Sequence, residues 1–220
     1  MEDYLKAIYE LQRGAEEPVS TSRIAEALEV TSPTATSMME KLADRGLVDR
    51  EKYKGVRLTT EGETVAIEVI RHHRLLETYL TEHLGYDWAE VHDEADILEH
   101  HISEEFERRV AKALDDPEVD PHGDPIPSEA LDPVDETAGE TLNEHEEGDV
   151  LVVDRVRDRD PDELAYLSEA GIRPGVRLEL VEVAPIGMFT VEVDGEAVSL
   201  PERIAGMIRV SPAEDAAAEA

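Results

Sequence analysis

Four side chains in one short stretch could together hold a divalent cation: His92, Asp96, Glu99 and His100. Steps of three and four residues return to one face of a helix, so a helix running over 88–114 would carry all four along one stripe. Oxygen and imidazole donors are costly to place beside buried leucine, isoleucine and phenylalanine unless something compensates them, and a cation would. A charged, solvated helix face is the alternative explanation of the same pattern.

Composition narrows the possibilities. The chain has 220 residues, enough for two domains or three small ones, and sets 54 acids against 21 bases for a formal net charge of -33. Such an excess of carboxylate suggests disorder, but 40% of the residues are hydrophobic and the acids lie in periodic segments. The expectation is therefore a folded, salt-adapted protein, since electrostatic screening shrinks to about 3 Å at 1 M salt. With no cysteine there is no disulfide, no thiolate metal site and no catalytic thiol. Neither a signal peptide nor a bilayer-spanning apolar run is evident, so a cytoplasmic location with no membrane partner is expected.

The charge is uneven. Residues 1–70 hold 14 acids and nine bases, whereas the rest of the chain carries a net charge of -28. Between 41 and 57 the sign reverses, with Lys41, Arg45, Arg50, Lys52, Lys54 and Arg57 against Asp44, Asp49 and Glu51. One basic patch on a very acidic protein is a candidate phosphate-contacting surface.

The elements that would position these groups follow from periodicity and caps. Residues 2–13 predict a helix with Leu5, Ile8, Tyr9 and Leu11 inward. Ser20 or Thr21 can cap a second helix, and Thr31-Ser32-Pro33-Thr34 opens a third that runs through Met38, Met39 and Leu42 to a stop at Gly46. Residues 47–59 alternate as two short strands. Helix, helix, turn, helix and hairpin in about 60 residues is the pattern of a winged helix-turn-helix. Two longer helices, 61–84 and 88–114, come next. Prolines 117, 121, 125, 127 and 133 then rule out further helix. Residues 147–210 alternate as strands around one short helix near 161–170, which predicts a small β-barrel. The fold class expected is mainly α with a small β domain. Its parts would be a winged helix over 1–64, a helical domain over 65–114, an acidic Pro-rich linker over 115–146, a β domain over 147–210 and a disordered tail over 211–220.

The order of these pieces resembles the diphtheria-toxin-repressor family of metal-dependent transcriptional repressors. The resemblance is carried by Met1-Glu2-Asp3-Tyr4-Leu5 with Ile8-Tyr9, Arg71-His72-His73-Arg74-Leu75-Leu76-Glu77, Val91-His92-Asp93-Glu94-Ala95, Glu99-His100, Glu107-Arg108-Arg109 and Pro121-His122-Gly123-Asp124-Pro125-Ile126-Pro127. It implies a winged-helix DNA-binding domain, a helical dimerisation and metal-binding domain and an SH3-like, FeoA-like C-terminal domain, acting as a homodimer on double-stranded operator DNA of metal-uptake genes. It also implies two metal sites per subunit: a primary site at Asp3, Asp96, Glu99 and His100, and an ancillary site at His73, Glu77 and His92. Asp158 and Asp160 are candidates for completing the ancillary site from the SH3-like domain. Spacing agrees: His73 and Glu77 are one turn apart, and His92 precedes Asp96 by a turn, which separates the sites by roughly 6 Å along a helix.

Iron-responsive relatives generally offer a sulfur ligand where this chain has Asp3 or Asp96, while manganese-responsive ones place acids there. Three carboxylates and an imidazole make a hard site. Mn(II) is therefore expected, with Fe(II) as the alternative. One departure is Lys6, which stands where manganese regulators lacking an SH3-like domain use a second glutamate. Metal would join Asp3 in the DNA-binding half to the helical half and fix a first helix otherwise loosely seated. DNA contacts are expected from Thr31, Ser32, Pro33, Thr34 and Ser37 at the start of the third helix, and from Lys52, Lys54 and Arg57 on the wing. His72 and His101 point away from the proposed ligands, and His83, His122 and His145 are expected at the surface. Trp88 reads as packing. No His-Glu-x-x-His pattern, nucleophile or general base supports the enzyme alternative, a metal-dependent hydrolase. A winged-helix repressor answering an apolar ligand would need an apolar pocket instead.

Overall fold

A computed structural model describes residues 1–13, 17–51, 54–134, 139–157 and 161–213. It divides into two compact units: residues 1–73, 97–109 and 126–134, and residues 74–96, 110–125 and 135–220. No helix among the described residues is long and apolar enough to cross a membrane.

The first unit begins with α1 (Glu2–Gln12), whose Leu5, Ile8 and Tyr9 recur at helical spacing and are buried. Helix α2 (Thr21–Ala27) is capped by Ser20, whose hydroxyl accepts from the Arg23 amide at 3.4 Å. Helix α3 (Ser32–Asp44) is capped in the same way by Thr31 and has proline in its first turn. It ends where Gly46 takes φ +71° and the amides of Gly46 and Leu47 bond back to Ala43 and Leu42. Strands β1 (Val48–Glu51) and β2 (Gly55–Leu58) pair antiparallel as the wing. Val19 exchanges two 2.9 Å backbone bonds with Val56, and only glycine fits at position 55, where a Cβ would lie 2.2 Å from the Val19 carbonyl oxygen. The core gathers Leu5, Ile8, Ile24, Met39, Leu42 and Ile67, each burial being worth roughly 1.5–3 kcal/mol.

Helix α4 (Thr60–Leu84) is one continuous rod of 25 residues. The expected helix over 88–114 is instead two: α5 (Val91–Leu98) and α6 (Glu104–Ala113). The break has a local cause. Ser103 caps α6 by accepting from the Phe106 amide at 3.3 Å, and the His101 amide turns back to the Leu98 carbonyl at 2.9 Å. Glu99 and His100 therefore sit in a turn, not on the stripe that carries His92 and Asp96.

The second unit holds a six-stranded antiparallel sheet in the order β3-β8-β4-β5-β6-β7, formed by β3 (Glu140–Thr141), β4 (Val150–Val156), β5 (Arg177–Ala184), β6 (Met188–Val193), β7 (Glu196–Pro201) and β8 (Ile208–Pro212). Bulges near Asp154 and Val181 break the register, and such bulges bend and twist a sheet. No β3–β7 pairing closes the sheet among the described residues, so it is open rather than the expected barrel. It also starts earlier than expected, because β3 and the buried Leu142 lie in the stretch read as linker. Helix α7 (Pro161–Glu169) contributes Leu164 and Leu167 to the core, and α8 (Glu202–Ala205) contributes Ile204. Trp88 joins the same core, its indole N–H donating to the Pro121 carbonyl at 2.7 Å. The expected disordered tail over 211–220 starts instead as strand, because β8 runs to Pro212 and the Ala213 amide bonds to the Val150 carbonyl at 3.0 Å; from 214 onward it falls outside the described residues.

Candidate metal centre

In the first unit, the first turn of α1 meets the turn that follows α5. Asp3, Glu99 and His100 bring one ligand atom each within 4.8 Å of one another. His100 Nε2 lies 2.6 Å from Asp3 Oδ1 and 3.5 Å from Glu99 Oε1, while its Nδ1 lies 2.7 Å from Glu2 Oε2. With Nδ1–H donating to Glu2, Nε2 and the two carboxylate oxygens it faces are three donors that one cation can share. A ligating histidine oriented by a carboxylate on its far nitrogen is the usual support for a bound metal. Glu2 was missed in the sequence, where it reads as one more acid in a first turn. Glu99 is the buried anchor, its side chain 2% exposed, whereas Asp3 is open to solvent at 55%.

The other oxygen of Glu99 faces inward. Its Oε2 is 2.7 Å from His73 Nδ1 and accepts from Lys6 Nζ at 3.0 Å. Beside it, His72 is pulled down by burial, but its bond to Glu107, the Glu107 charge and the Glu99 carbonyl raise it overall above the ordinary histidine value. Glu107 is lowered chiefly by the same bond, against its burial, with help from Arg71 at 2.5 Å.

In the second unit, the fully buried Glu77 receives groups from two directions. His92 Nδ1 lies 3.2 Å from Glu77 Oε1, and His122 Nδ1 lies 3.7 Å from Glu77 Oε2. Glu77, Asp120 and His122 also offer ligand atoms within 4.8 Å of one another, and all three are buried. The loop 120–124 is built for this placement. Asp120 Oδ1 accepts from the amides of His122 at 2.8 Å and Asp124 at 2.9 Å, and His122 Nε2 sits 3.0 Å from the Trp88 carbonyl. That last bond makes Nε2 the donor and leaves Nδ1 aimed at Glu77. Burial first, then the charges of Glu77 and Asp124, raise the Asp120 carboxyl well above its usual range. Arg74 and Arg155 supply nearby positive charge, at 3.6 Å from Asp120 and 3.1 Å from Asp124.

Three of the four expected primary ligands thus meet in one unit. Asp96 belongs to the other, where its Oδ2 is 3.6 Å from His92 Nε2. Of the expected ancillary set, Glu77 and His92 meet in the second unit, and His73, the last residue of its segment of the first unit, lies one turn before Glu77 on α4 and also meets Glu99. Asp158 and Asp160 lie outside the described residues. His122 was expected at the surface and is fully buried, and the side chain of His145 is only 10% exposed. Both corrections share a cause: each imidazole has carboxylates to turn towards, Glu77 for His122 and Asp149 for His145 at 3.3 Å. The signal for Asp120 and His122 was the Pro-His-Gly-Asp-Pro run itself, whose glycine allows the tight loop.

The expected DNA face is arranged as a surface. Thr31, Ser32, Pro33, Thr34 and Ser37 are all exposed on the first half of α3, and Ala35, Met39 and Leu42 are buried behind them. Lys54 is exposed and Arg57 half-buried on the wing; Lys52 falls outside the described residues.

Residues 1–56 match the family model described as iron dependent repressor, N-terminal DNA binding domain, and residues 59–128 match iron dependent repressor, metal binding and dimerisation domain. The chain belongs to the diphtheria-toxin-repressor family. Residues 140–212 match the FeoA domain. The chain is 33% identical over 222 residues to the diphtheria toxin repressor of Corynebacterium glutamicum, covering 97% of this chain and 96% of that protein. It is 35% identical to the iron-dependent repressor IdeR of Mycobacterium leprae, covering 95% of each. Among solved structures, a manganese-dependent transcriptional repressor in complex with manganese superposes with a TM-score of 0.85 at 39% identity, covering 96% of this chain and 99% of that one. This diphtheria-toxin-repressor family member is a metal-dependent transcriptional repressor and not an enzyme.

Proposed function

We propose that this repressor is switched on by Mn(II) held between Asp3, Glu99 and His100, and then binds operator DNA of metal-uptake genes as a cytoplasmic homodimer. The observation that carries the reading is His100, whose two nitrogens are each set against carboxylate, Glu2 on one side and Asp3 with Glu99 on the other. The donors are oxygen and imidazole without sulfur, and such hard sets suit Mn(II). The manganese-bound repressor of similar structure supports the choice; the iron-dependent relatives make Fe(II) the rival. A second ion is assigned to the expected ancillary residues His73, Glu77 and His92, where His92 Nδ1 stands 3.2 Å from Glu77 Oε1. The sequence pattern adds Asp96 to the primary set, and Asp96→Ala tests its membership.

The cation supplies charge neutralisation and a fixed donor geometry, and no covalent chemistry. Apolar packing already seats α1 through Leu5 and Ile8. What depends on the ligands is its first turn, which Asp3 ties to Glu99 and His100. Two ordered subunits would present their recognition helices about 34 Å apart, one turn of DNA. Thr31, Ser32, Pro33, Thr34 and Ser37 would then read the groove, with Lys52, Lys54 and Arg57 on phosphate. A ligand can shift such an equilibrium only by its differential affinity for the two states.

The test is selection of sites from a random double-stranded DNA library in molar potassium chloride, with Mn(II), with anaerobic Fe(II) and without metal. Enrichment at lower Mn(II) than Fe(II), lost in Glu99→Gln, is expected. Enrichment at lower Fe(II) would replace manganese by iron, and equal enrichment without metal would overturn the reading.

A further inference from the structure

The inward side of Glu99 is already occupied by a cation that belongs to the chain. Lys6 Nζ donates to Glu99 Oε2 at 3.0 Å and lies 3.2 Å from His73 Nδ1, whose N–H reaches the same Glu99 oxygen at 2.7 Å. Two neighbouring donors of one small octahedral dication, each about 2.1 Å from it, stand about 3 Å apart. Glu99 and His73 are close enough that a small shift would let both reach one ion, and the Lys6 ammonium sits beside both of them on that side. The site is largely closed to solvent: the side chains of Lys6, Glu99 and His73 are 17%, 2% and 6% exposed. A buried ammonium is tolerated only where its partners repay its lost hydration.

We infer that Lys6 is a tethered counter-cation that fills the inner position on Glu99, so that this cluster accepts one divalent ion, on the outer side with Asp3 and His100, and excludes a second. Asp3 and Lys6 are three residues apart on α1 and so share a face of it. One helix thus delivers an anion to the outer oxygen of Glu99 and a cation to the inner one. Lys6 thereby sets both metal count and metal affinity, because its fixed charge draws on the same carboxylate that the outer ion must use. The inference rests on the proposed Asp3–Glu99–His100 site.

Bound Mn(II) per chain, counted by equilibrium dialysis in molar potassium chloride, tests it with folding monitored by circular dichroism. Lys6→Glu is expected to bind one more Mn(II) per chain than the natural protein, and Lys6→Arg the same number as the natural protein. An unchanged count in folded Lys6→Glu, or an equal gain in Lys6→Arg, overturns the inference. Should Lys6→Glu not fold, Lys6→Met is read by affinity. Deleting a unit charge this close to a dication should tighten Mn(II) binding by about tenfold or more, and unchanged affinity overturns the inference. Glu99→Gln separates the two ideas. If it retains the full count and affinity, the underlying site is wrong; if it loses an ion while the Lys6 variants behave as the natural protein, only the role of Lys6 is.

Discussion

Gly123→Ala should loosen the loop that presents His122 and Asp120 to Glu77. Gly123 has φ +87°, and a Cβ there would lie 2.1 Å from the Asp154 carbonyl oxygen and 2.9 Å from the Arg155 Cα. Both atoms are backbone of β4, so neither can swing aside like a side-chain tip. Holding alanine in the left-handed region costs about 1–2 kcal/mol. Parting the loop from β4 also stretches the 2.9 Å bond from the Val156 amide to the His122 carbonyl, worth about 0.5–1.5 kcal/mol. Together the loss is roughly 1.5–3.5 kcal/mol, or roughly 3–14 °C in Tm for a chain of this size. The assay is built in. Trp88 is the only tryptophan, and its ring lies 4.9 Å from that of His122, so denaturation followed by its fluorescence reports on this unit. A midpoint shift worth less than about 0.5 kcal/mol would show that β4 yields easily and that the close approach does not constrain the loop.

Two further perturbations probe the DNA-binding half. Thr31→Val removes the hydroxyl that accepts from the Thr34 amide at 3.4 Å; it should cost about 1 kcal/mol in urea denaturation and weaken operator binding in an anisotropy titration, and loss of neither would mean that the cap is idle. Arg57→Gln should reduce the dependence of log affinity on log salt by about one unit if the wing touches phosphate; an unchanged slope with lower affinity would point to a base contact instead.

Much of the winged helix could be read from the chain because its signals are local. Ser20, Thr31, Pro33 and Gly46 each act on the backbone within a few residues, and the structure puts them at the helix ends they mark. The break between α5 and α6 was harder. Its cap, Ser103, competes with a run of good helix formers on either side, and periodicity alone carries straight through it. The buried His122 escaped for a different reason. A histidine between prolines and aspartates looks solvated, and only the fold brings the Glu77 carboxylate, 45 residues earlier, within 3.7 Å of it. Lys6 was visible as a departure from a family pattern, but its partners His73 and Glu99 were not, since both contacts span more than 60 residues.

The start of α1 differs from those of its neighbours. Helices α2 and α3 close their open amides with Ser20 and Thr31, but α1 begins at Met1 with no side-chain cap. The amides of Tyr4 and Leu5 make its first backbone bonds, both to the Met1 carbonyl, at 3.2 and 3.3 Å. Uncapped first turns fray, and fraying is seen as fast amide exchange with solvent. A cation gripping Asp3 would slow exchange in that turn while leaving the middle of α1, pinned by Ile8, unchanged. Metal would then do for α1 what a hydroxyl does for the next two helices, with the difference that this cap can be withdrawn.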